Sequence, residues 1–392
     1  MKNILIASFD MEIGGVERSL ISMLNSFDYN NYLVDLMLYS HTGEFMNLLP
    51  NQLYLLQESK AYKTFRMPIA QVLKSREYKI GLARLLAKFK ANLNKSSENG
   101  FKQMQYMWEY SISFLPNLEK EYDVAISYLW PHYFIAEKVE AKTKIAWIHT
   151  DFSIVDTDIE LDIKMWNKFD HLVAVSEECK KAFINKYPIL KSKVIVIENI
   201  TTPELVKTLS SENVDNPMVN DSKFKVITVA RLSYAKGIDY AVKALKLLKD
   251  RGYSDIVWYV VGYGGDEGDI KRLIVENGLD NQFILLGKKI NPYPYIQAAD
   301  LYVQPSRYEG KAVTVVEAQI LAKPVLITNY TTARSQVQNG VNGCICELSI
   351  KGIADGIEKL YKDSHLRERL TNNCRNTNYH NNKELAKLYS LV

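Results

Sequence analysis

The stretch SRYEGKAVTVVEAQILAKP, residues 306–324, determines how the rest of this chain is interpreted. It follows the apolar run LYVQP, which predicts a buried strand, and a helical pattern opens near Ala312. This pattern places Glu309 in the turn and Glu317, eight residues later, in the first turns of the helix. Because open α/β sheets bind ligands at the carboxyl ends of their strands, both carboxylates are candidate ligand-binding groups.

The start of this helix predicts an anion site. The first backbone amides of a helix have no partner inside it and can bind a phosphate. The residues that would supply these amides are Ala312, Val313, Thr314 and Val315. Two carboxylates beside a phosphate would repel the ligand unless they bind its hydroxyl groups. The stretch therefore predicts a sugar nucleotide, with one acid on the sugar and the other on the ribose.

Apolar strand patterns alternate with helical patterns along both halves of the chain, which predicts parallel sheets with helices on both faces. The polar stretch TTPELVKTLSSENVDNPMVNDS, residues 201–222, interrupts the alternation and is the best linker. We predict an α/β protein of two Rossmann-like doubly wound domains facing a cleft, residues 1–202 and 203–392. A basic helical insertion is expected near 58–115, and the last helix is a candidate to cross back to the first domain.

Size and composition are those of a globular protein: 392 residues, 47% hydrophobic and a net charge of +4. The four cysteines are dispersed and are interpreted as buried, reduced thiols: Cys179, Cys344, Cys346 and Cys374. The N-terminal apolar run is too short for a signal peptide, and no apolar stretch reaches the length of a membrane span. A cytoplasmic protein is expected, with peripheral association with the inner face of the cell membrane as a further hypothesis.

Two cations follow the first predicted strand of the second domain, in the stretch VARLSYAKGID. Arg231 and Lys236 are five residues apart, Gly237 ends the loop, and Ile238 begins a helical pattern. Fixed cations at a helix N-terminus suit a diphosphate. The alternative is that both are solvated surface cations.

Other strand ends carry weaker signals. Gly14 and Gly15 follow the first strand and form a candidate phosphate loop, because glycine permits positive φ and close backbone approach; the alternative is a tight turn without a ligand. Gly262 and Gly287 end two later strands and are candidate donor-binding positions. Gly262 is interpreted as part of a loop kept small at the cleft rim, whereas Gly287 could let a nucleobase approach the backbone. His149 also ends a strand, where a ligand-binding role and a structural role are both open.

No metal site is expected. The pair of acids in Asp156-Thr157-Asp158 has the spacing of a divalent-metal motif, but the stretch DTDIELD is better interpreted as the acidic start of a helix. No other cluster has ligand spacing. The sequence also lacks the GxSxG and GxxxxGK[ST] motifs, so hydrolase and kinase functions are poorly supported.

Several motifs together resemble the signature of family 4 retaining glycosyltransferases with the GT-B fold, of the kind that assembles bacterial surface polysaccharides. They are GGVERSL, VARLSYAKG, VVGYGG, ADLYVQPSRYEGKAVTVVEA, KPVLIT and NGVNG. The resemblance covers nearly all of the second domain and parts of the first. It implies transfer of a hexose or N-acetylhexosamine from a nucleotide diphosphate, with UDP favoured, to a carbohydrate or polyprenyl-linked acceptor. It implies no metal and no cofactor besides the donor.

By matching position, the resemblance assigns Glu309 to the donor sugar and Glu317 to the ribose. It assigns Arg231 and Lys236 to the diphosphate. Gly15 would approach the diphosphate from the other domain, and His149 would line the sugar pocket. Lys311 departs from the family pattern, since a bulky apolar residue is more typical there, and it adds a third cation near the phosphate site.

The segment from residue 60 to residue 102 holds eleven Lys and Arg but only two Glu. Residues 68–93 are predicted as one helix whose apolar side comprises Ile69, Val72, Leu73, Ile80, Ala83 and Phe89. The cations along it are Lys74, Arg76, Lys79, Arg84, Lys88 and Lys90. Contact with an anionic membrane and an ordinary surface helix are both open interpretations. No nucleic-acid recognition motif accompanies the charge, so a nucleic-acid partner is not expected.

Two other functions remain as alternatives. A sugar-nucleotide epimerase with the same two-domain plan would need acid/base carboxylates in the first domain, where Asp10, Glu12 and Asp151 are available. A catalytically silent partner subunit would keep the cleft without the chemistry. The joint presence of both cations and both acids argues against a silent subunit.

Overall fold

The computed structural model describes residues 1–93 and 100–392, and it divides into two compact units. Unit 1 comprises Met1–Ile200 together with Asn382–Val392, and unit 2 comprises Thr201–Asn381. The division after Ile200 therefore lies two residues before the domain boundary expected from the sequence, which was placed after residue 202.

Unit 1 contains a seven-stranded parallel sheet with the strand order β3-β2-β1-β4-β5-β6-β7. Its strands are β1 (Lys2–Ser8), β2 (Tyr32–Leu38), β3 (Tyr54–Leu55), β4 (Tyr122–Ser127), β5 (Ala141–Ile148), β6 (His171–Ala174) and β7 (Val194–Val196). Its helices before the second unit are α1 (Gly15–Asn25), α2 (Lys60–Lys63), α3 (Ile69–Lys74), α4 (Tyr78–Leu93), α5 (Gly100–Ser111), α6 (Tyr133–Lys138), α7 (Ile159–Trp166) and α8 (Glu177–Lys186). The central strands are buried along most of their length, as expected when helices cover both faces.

Unit 2 contains a six-stranded parallel sheet with the strand order β10-β9-β8-β11-β12-β13. Its strands are β8 (Phe224–Val229), β9 (Ile256–Val261), β10 (Phe283–Gly287), β11 (Leu301–Gln304), β12 (Val325–Thr328) and β13 (Cys344–Cys346). Its helices are α9 (Pro203–Ser210), α10 (Ile238–Asp250), α11 (Glu267–Glu276), α12 (Tyr293–Ala298), α13 (Val313–Ile320), α14 (Ile350–Lys362) and α15 (Ser364–Asn376). The strand order reverses between β8 and β11, which is the position where such sheets bind ligands.

The alternation of side chains along β9 shows why unit 2 is doubly wound. Ile256, Trp258 and Val260 join one apolar cluster, whereas Val257 and Tyr259 join another. Successive residues of a strand point to opposite faces, so both faces of the sheet are covered. The predicted fold class of two Rossmann-like doubly wound domains is confirmed.

The chain ends in unit 1 with helix α16 (Asn382–Tyr389). The ring of Tyr389 stacks on Tyr32 at 4.9 Å, and its hydroxyl accepts a hydrogen bond of 2.7 Å from the Asp28 amide. These contacts fix the last helix beside the amino ends of β1 and β2.

The basic segment differs from its prediction. Residues 68–93 form two helices, α3 and α4, because Arg76 between them adopts a positive φ of 66° and interrupts the helical path. Leu73 and Phe89, which were predicted on the same apolar side as the buried residues Val72, Ile80 and Ala83, are exposed. Residues 94–99 of the predicted insertion lie outside the described residues. Within the described ranges, no helix combines the length and the apolarity needed to cross a bilayer.

Candidate functional site

Glu309 lies in the turn between β11 and α13, as predicted, and its carboxylate is held by three neighbouring side chains. It is 8% exposed. Oε1 accepts hydrogen bonds from the Ser306 hydroxyl at 2.7 Å and from the Gln304 amide at 3.0 Å. The ammonium group of Lys236 donates to Oε1 at 2.7 Å and to Oε2 at 2.6 Å. The carboxylate is therefore fixed in orientation, and Oε2 accepts fewer of these hydrogen bonds than Oε1.

Lys236 reaches Glu309 because of the glycine that follows it. Gly237 adopts φ 63° at the start of α10, and a Cβ placed there would lie 2.1 Å from the carbonyl oxygen of Pro305. Only glycine permits both this conformation and this approach. The loop after β8 thus packs against the turn after β11, and the predicted cation and acid become an ion pair.

A second ion pair fastens the same two loops. The guanidinium of Arg307 donates to both carboxylate oxygens of Asp239, at 2.8 and 2.6 Å. It also lies 4.1 Å from the ring centres of Tyr234 and Tyr240. A bidentate pair of this kind fixes geometry as well as charge, so the loops after β8 and β11 form one scaffold.

The start of α13 is partly occupied by the protein itself, which corrects the predicted anion site. The Ala312 amide donates to the side-chain oxygen of Gln336 at 3.0 Å, and the Val315 amide donates to the Ala312 carbonyl at 3.1 Å. Of the four amides that were expected to bind a phosphate, Val313 and Thr314 remain. Residue 336 was not singled out in the sequence.

Glu317 lies inside α13, as predicted, but its surroundings are more enclosed than the sequence suggested. It is 3% exposed, and Oε1 accepts a 2.7 Å hydrogen bond from the hydroxyl of Tyr293 on α12. The Thr314 hydroxyl, one turn earlier, accepts a 2.8 Å bond from Tyr302 of β11. Two tyrosines therefore orient the polar groups of this helix.

The remaining predicted residues of unit 2 lie at the same carboxyl edge of its sheet. Arg231 is exposed after β8, and Lys311 is partly exposed before α13. Gly262 follows β9, and a Cβ there would lie 1.8 Å from the carbonyl oxygen of Ala230. Gly287, at the end of β10, has φ 71° and open space beside it. Gly262 is thus required by loop packing, whereas Gly287 has room for a ligand.

Gly15 is the first residue of α1 in unit 1. Gly14 before it is extended, with φ −161°, and neither glycine adopts the positive φ that motivated the sequence prediction. The space beside Gly15 is open, with no atom within 4 Å of an added Cβ. The reason for glycine here is therefore space rather than backbone conformation.

His149 follows β5 in unit 1, with its ring centre 4.7 Å from that of Tyr128. Burial lowers the pKa of His149 to about 3, so the imidazole is neutral at physiological pH. A second histidine, His132, was missed; its Nδ1 lies 2.7 Å from the Ser127 hydroxyl, and burial lowers its pKa well below the ordinary value. Neutral imidazoles can orient a hydroxyl but cannot supply positive charge.

The acids of the DTDIELD stretch serve the helix start, as the sequence favoured. Asp158 caps α7 by accepting from the Leu161 amide at 3.3 Å, and Asp156 pairs with Lys102 at 2.7 Å. Among the described residues, no group of three or more His, Cys, Asp or Glu side chains could hold a metal ion.

A surface pocket of about 710 Å³ opens at the carboxyl ends of β12 and β13. Its lining includes Asn329, Arg334 and Glu347, and none of the predicted site residues. The segment that forms one wall also holds the Glu309 turn: the Thr332 hydroxyl donates to the Glu309 carbonyl at 2.9 Å. We place the candidate site at β8 and β11, where the charged groups converge, rather than in this pocket.

The residues that hold the site together were not predicted from the sequence. They are Gln304, Ser306, Tyr293, Thr332 and Gln336. One signal was present for Gln304, because a single amide at the end of the apolar strand LYVQ needs a buried partner. Ser306 lies in the same turn as Glu309. Tyr293, Thr332 and Gln336 are brought in by other segments and carry no local pattern.

Comparison with solved structures identifies the fold as that of GT-B glycosyltransferases. Anabaena HepE in complex with UDP and glucose is 19% identical, covers the whole of both chains and has a TM-score of 0.70. A Staphylococcus aureus TarM variant in complex with fondaparinux, α-GlcNAc-glycerol and UDP is 15% identical, covers 100% of this chain and 99% of that one, and also has a TM-score of 0.70.

The match to a protein family lies within unit 2. Residues 211–377 match the family described as glycosyl transferases group 1. A capsular polysaccharide biosynthesis glycosyltransferase of Staphylococcus aureus is 28% identical over 213 residues, or 52% of this chain and 55% of that protein. The alpha-D-kanosaminyltransferase of Streptomyces kanamyceticus is 27% identical over 157 residues, or 39% and 40%. The chain thus spans about half the length of the curated relatives it matches.

Proposed function

We propose that this protein is a retaining glycosyltransferase that moves a hexosyl group from a nucleotide diphosphate, with UDP favoured, to a carbohydrate or lipid-linked acceptor in cell-surface glycan assembly. The observation that carries the proposal is the ion pair of Glu309 and Lys236 at the switch point of unit 2, next to the start of α13. It lies within the residues that match the group 1 family.

The geometry of the ion pair is compatible with separate roles for Lys236 and Glu309 in donor binding. An ammonium group has three N–H donors, and Lys236 directs two of its hydrogen bonds to Glu309. The third can meet a phosphate oxygen of the donor, while Oε2 of Glu309 accepts a hydroxyl of the sugar. In this way one ion pair would bind both the sugar and the diphosphate, the two groups joined by the bond that breaks.

The remaining residues would complete the donor site. The amides of Val313 and Thr314 and the side chains of Arg231 and Lys311 would offset the diphosphate charge, and Glu317 would bind the ribose. His149 and Gly15, on unit 1, would contact the sugar and the diphosphate. The departing phosphate would help to deprotonate the acceptor on the same face, so the protein's contribution is mainly electrostatic and orientational.

The names of the relatives support the substrate classes. Two neighbouring structures contain UDP, one of them with glucose and the other with a glycerol-linked amino sugar. A relative in sequence acts in capsular polysaccharide biosynthesis. From these we infer a UDP-sugar donor and a glycan acceptor. A polyprenyl-linked form of that acceptor, presented at an anionic membrane surface, is proposed from the resemblance of the sequence motifs.

The comparisons do not favour the alternatives, since the relatives from Streptomyces kanamyceticus and Staphylococcus aureus are glycosyltransferases. Two of the acids that an epimerase would recruit are also committed elsewhere. Asp10 pairs with Arg66 at 2.5 Å, and Asp151 accepts from the amide and hydroxyl of Ser153.

A panel of UDP-, GDP- and ADP-sugars tests the proposal. The purified protein should be stabilised against heat by UDP-sugars more than by the others and should hydrolyse them slowly without an acceptor. Stabilisation by none of the panel, or release of an epimerised sugar nucleotide, would refute it.

A further inference from the structure

The helix α4 has two apolar faces, and only one of them is packed. Ile80, Ala83, Ala87 and Ala91 are buried, and the helix lies against α5. On the other side, five large apolar side chains are exposed: Tyr78, Leu82, Leu85, Leu86 and Phe89. Leu82 is 58% exposed and Phe89 is 67% exposed.

These five residues form one continuous stripe. At about 100° per residue, positions 78, 82, 85, 86 and 89 fall within an arc of roughly 100° on the helix, opposite the buried face. Single exposed apolar residues are common on protein surfaces, but a contiguous stripe marks an interaction surface. We call these five residues the α4 stripe.

Cations border the α4 stripe on both sides. Lys79 and Lys90 lie along one edge and Lys88 along the other, and no acidic residue occurs between residues 78 and 93. The ammonium of Lys90 lies 4.2 Å from the ring centre of Tyr106, which keeps it beside the helix. Lys74 and Arg76, immediately before α4, are also exposed.

Arg84 does not belong to this border, although the sequence grouped it with the others. Its guanidinium donates to the backbone carbonyls of Thr64 and Met67, the latter at 2.8 Å. Its pKa is lowered by burial. Arg84 thus anchors α4 to the preceding segment. The lysines that border the α4 stripe are the cations available to an external partner.

We propose that the α4 stripe inserts into the interfacial region of an anionic lipid bilayer, with α4 lying parallel to the membrane plane. An apolar arc bordered by lysines matches the acyl–headgroup boundary, because apolar side chains enter the acyl region while ammonium groups meet lipid phosphates. A second copy of this chain fits less well. An isologous contact would bring the same lysines together without any acid along the helix to offset them.

The inference deepens the proposed membrane-side acceptor and rests on that part of the proposed function. Vesicle binding is measured without donor or acceptor, so a failure here leaves the transferase test untouched. The reverse also holds, since donor hydrolysis requires no membrane.

Co-sedimentation with vesicles of equal parts phosphatidylcholine and phosphatidylglycerol tests the proposal. The double variant Leu82→Ser/Leu86→Ser should bind at least about tenfold more weakly than the parent, because two inserted leucines are lost. Ile189→Ser and Val275→Ser, which remove exposed apolar residues from other elements, are the matched controls and should bind as the parent does. Lys79→Gln/Lys88→Gln should weaken binding and reduce its dependence on salt.

A fluorescence measurement tests insertion of the α4 stripe without depending on whether the double variant folds. Phe89→Trp places a reporter in the α4 stripe, and its emission should shift to shorter wavelength on adding the anionic vesicles but not phosphatidylcholine alone. The proposal is overturned if the parent does not bind, if the leucine variant binds equally, or if the emission does not shift. It is also overturned if the leucine variant only dissociates a dimer in sedimentation velocity.

Discussion

At the scale of single residues, Glu309 and Lys236 depend on each other. The carboxylate is nearly buried and the ammonium group forms two hydrogen bonds with it. Removing one member of such a pair leaves the other charge without its partner, which is costlier than removing both. The pair is therefore a stability element as well as a proposed part of the donor site.

This dependence predicts a double-mutant cycle. Lys236→Gln alone should lower the free energy of unfolding of unit 2 by about 2–4 kcal/mol, because Glu309 stays charged among neutral donors. Lys236→Gln combined with Glu309→Gln should recover most of that loss without recovering donor turnover. Chemical denaturation of Lys236→Gln, Glu309→Gln and the double variant measures the coupling, and strictly additive losses would contradict the ion pair.

Gly237 is the residue that permits the pair to form. Gly237→Ala should destabilise unit 2 by at least about 1–3 kcal/mol, because alanine is strained at positive φ and its Cβ meets the Pro305 carbonyl. Gly268→Ala is the control, since the space beside Gly268 is open. Thermal unfolding of both variants checks the prediction, which fails if the two behave alike.

At the scale of elements, the turn before α13 is held at both ends by one short segment of chain. Thr332 binds the Glu309 carbonyl, and Gln336 binds the Ala312 amide. This segment follows β12, and no motif in the sequence predicted that it would contact the turn. It acts on the proposed chemistry through the position of the turn.

We therefore expect Thr332→Val to lower kcat for donor hydrolysis by about tenfold while leaving the affinity for UDP nearly unchanged, since a loosened turn misplaces the carboxylate. Thr331→Val is a matched control, because Thr331 is exposed and its side chain does not hold the turn. Steady-state kinetics and UDP titration separate the two effects. A parallel loss in both variants, or a loss of UDP affinity alone, would argue against a positioning role.

The elements also show what could be read from the sequence and what could not. The run LYVQP and the helical pattern after Ala312 predicted β11, the turn and α13, because these features depend on local periodicity. The contacts of Glu309 with Lys236 and Thr332 could not be predicted from the sequence, because separate segments bring these residues beside it. The segment 68–93 was wrongly predicted as one helix because its apolar residues serve two opposite faces of α4, and Arg76 carries no breaking signal.

At the scale of the whole molecule, unit 1 contains two histidines that contribute to its response to acid, the buried His132 and the half-buried His149. Burial lowers the pKa of His149 to about 3 and that of His132 well below its ordinary value. In the unfolded chain both histidines become protonated as the pH falls through about 6.5, whereas in the folded unit they stay neutral at that pH. Stability is therefore full above that pH and falls as the pH decreases toward 3.

The expected slope is up to about 1.4 kcal/mol per pH unit for each histidine below pH 6.5. Asp162, whose pKa is raised by burial, contributes in the opposite sense at the acid end. Denaturation followed by tryptophan fluorescence at pH 7.5, 6 and 5 measures the slope, and His149→Gln should reduce it. His365→Gln, at an exposed position, should not. An unchanged slope in the first variant would contradict the assignment.

In the proposed donor complex, Glu309 binds the transferred sugar while Lys236 binds the diphosphate. Isothermal titration of Glu309→Gln with UDP and with the preferred UDP-sugar tests it most directly. We expect the variant to bind UDP within about threefold of the parent, to lose at least about tenfold in affinity for the sugar nucleotide, and to have no turnover. Equal losses for UDP and UDP-sugar, or unchanged turnover, would contradict it.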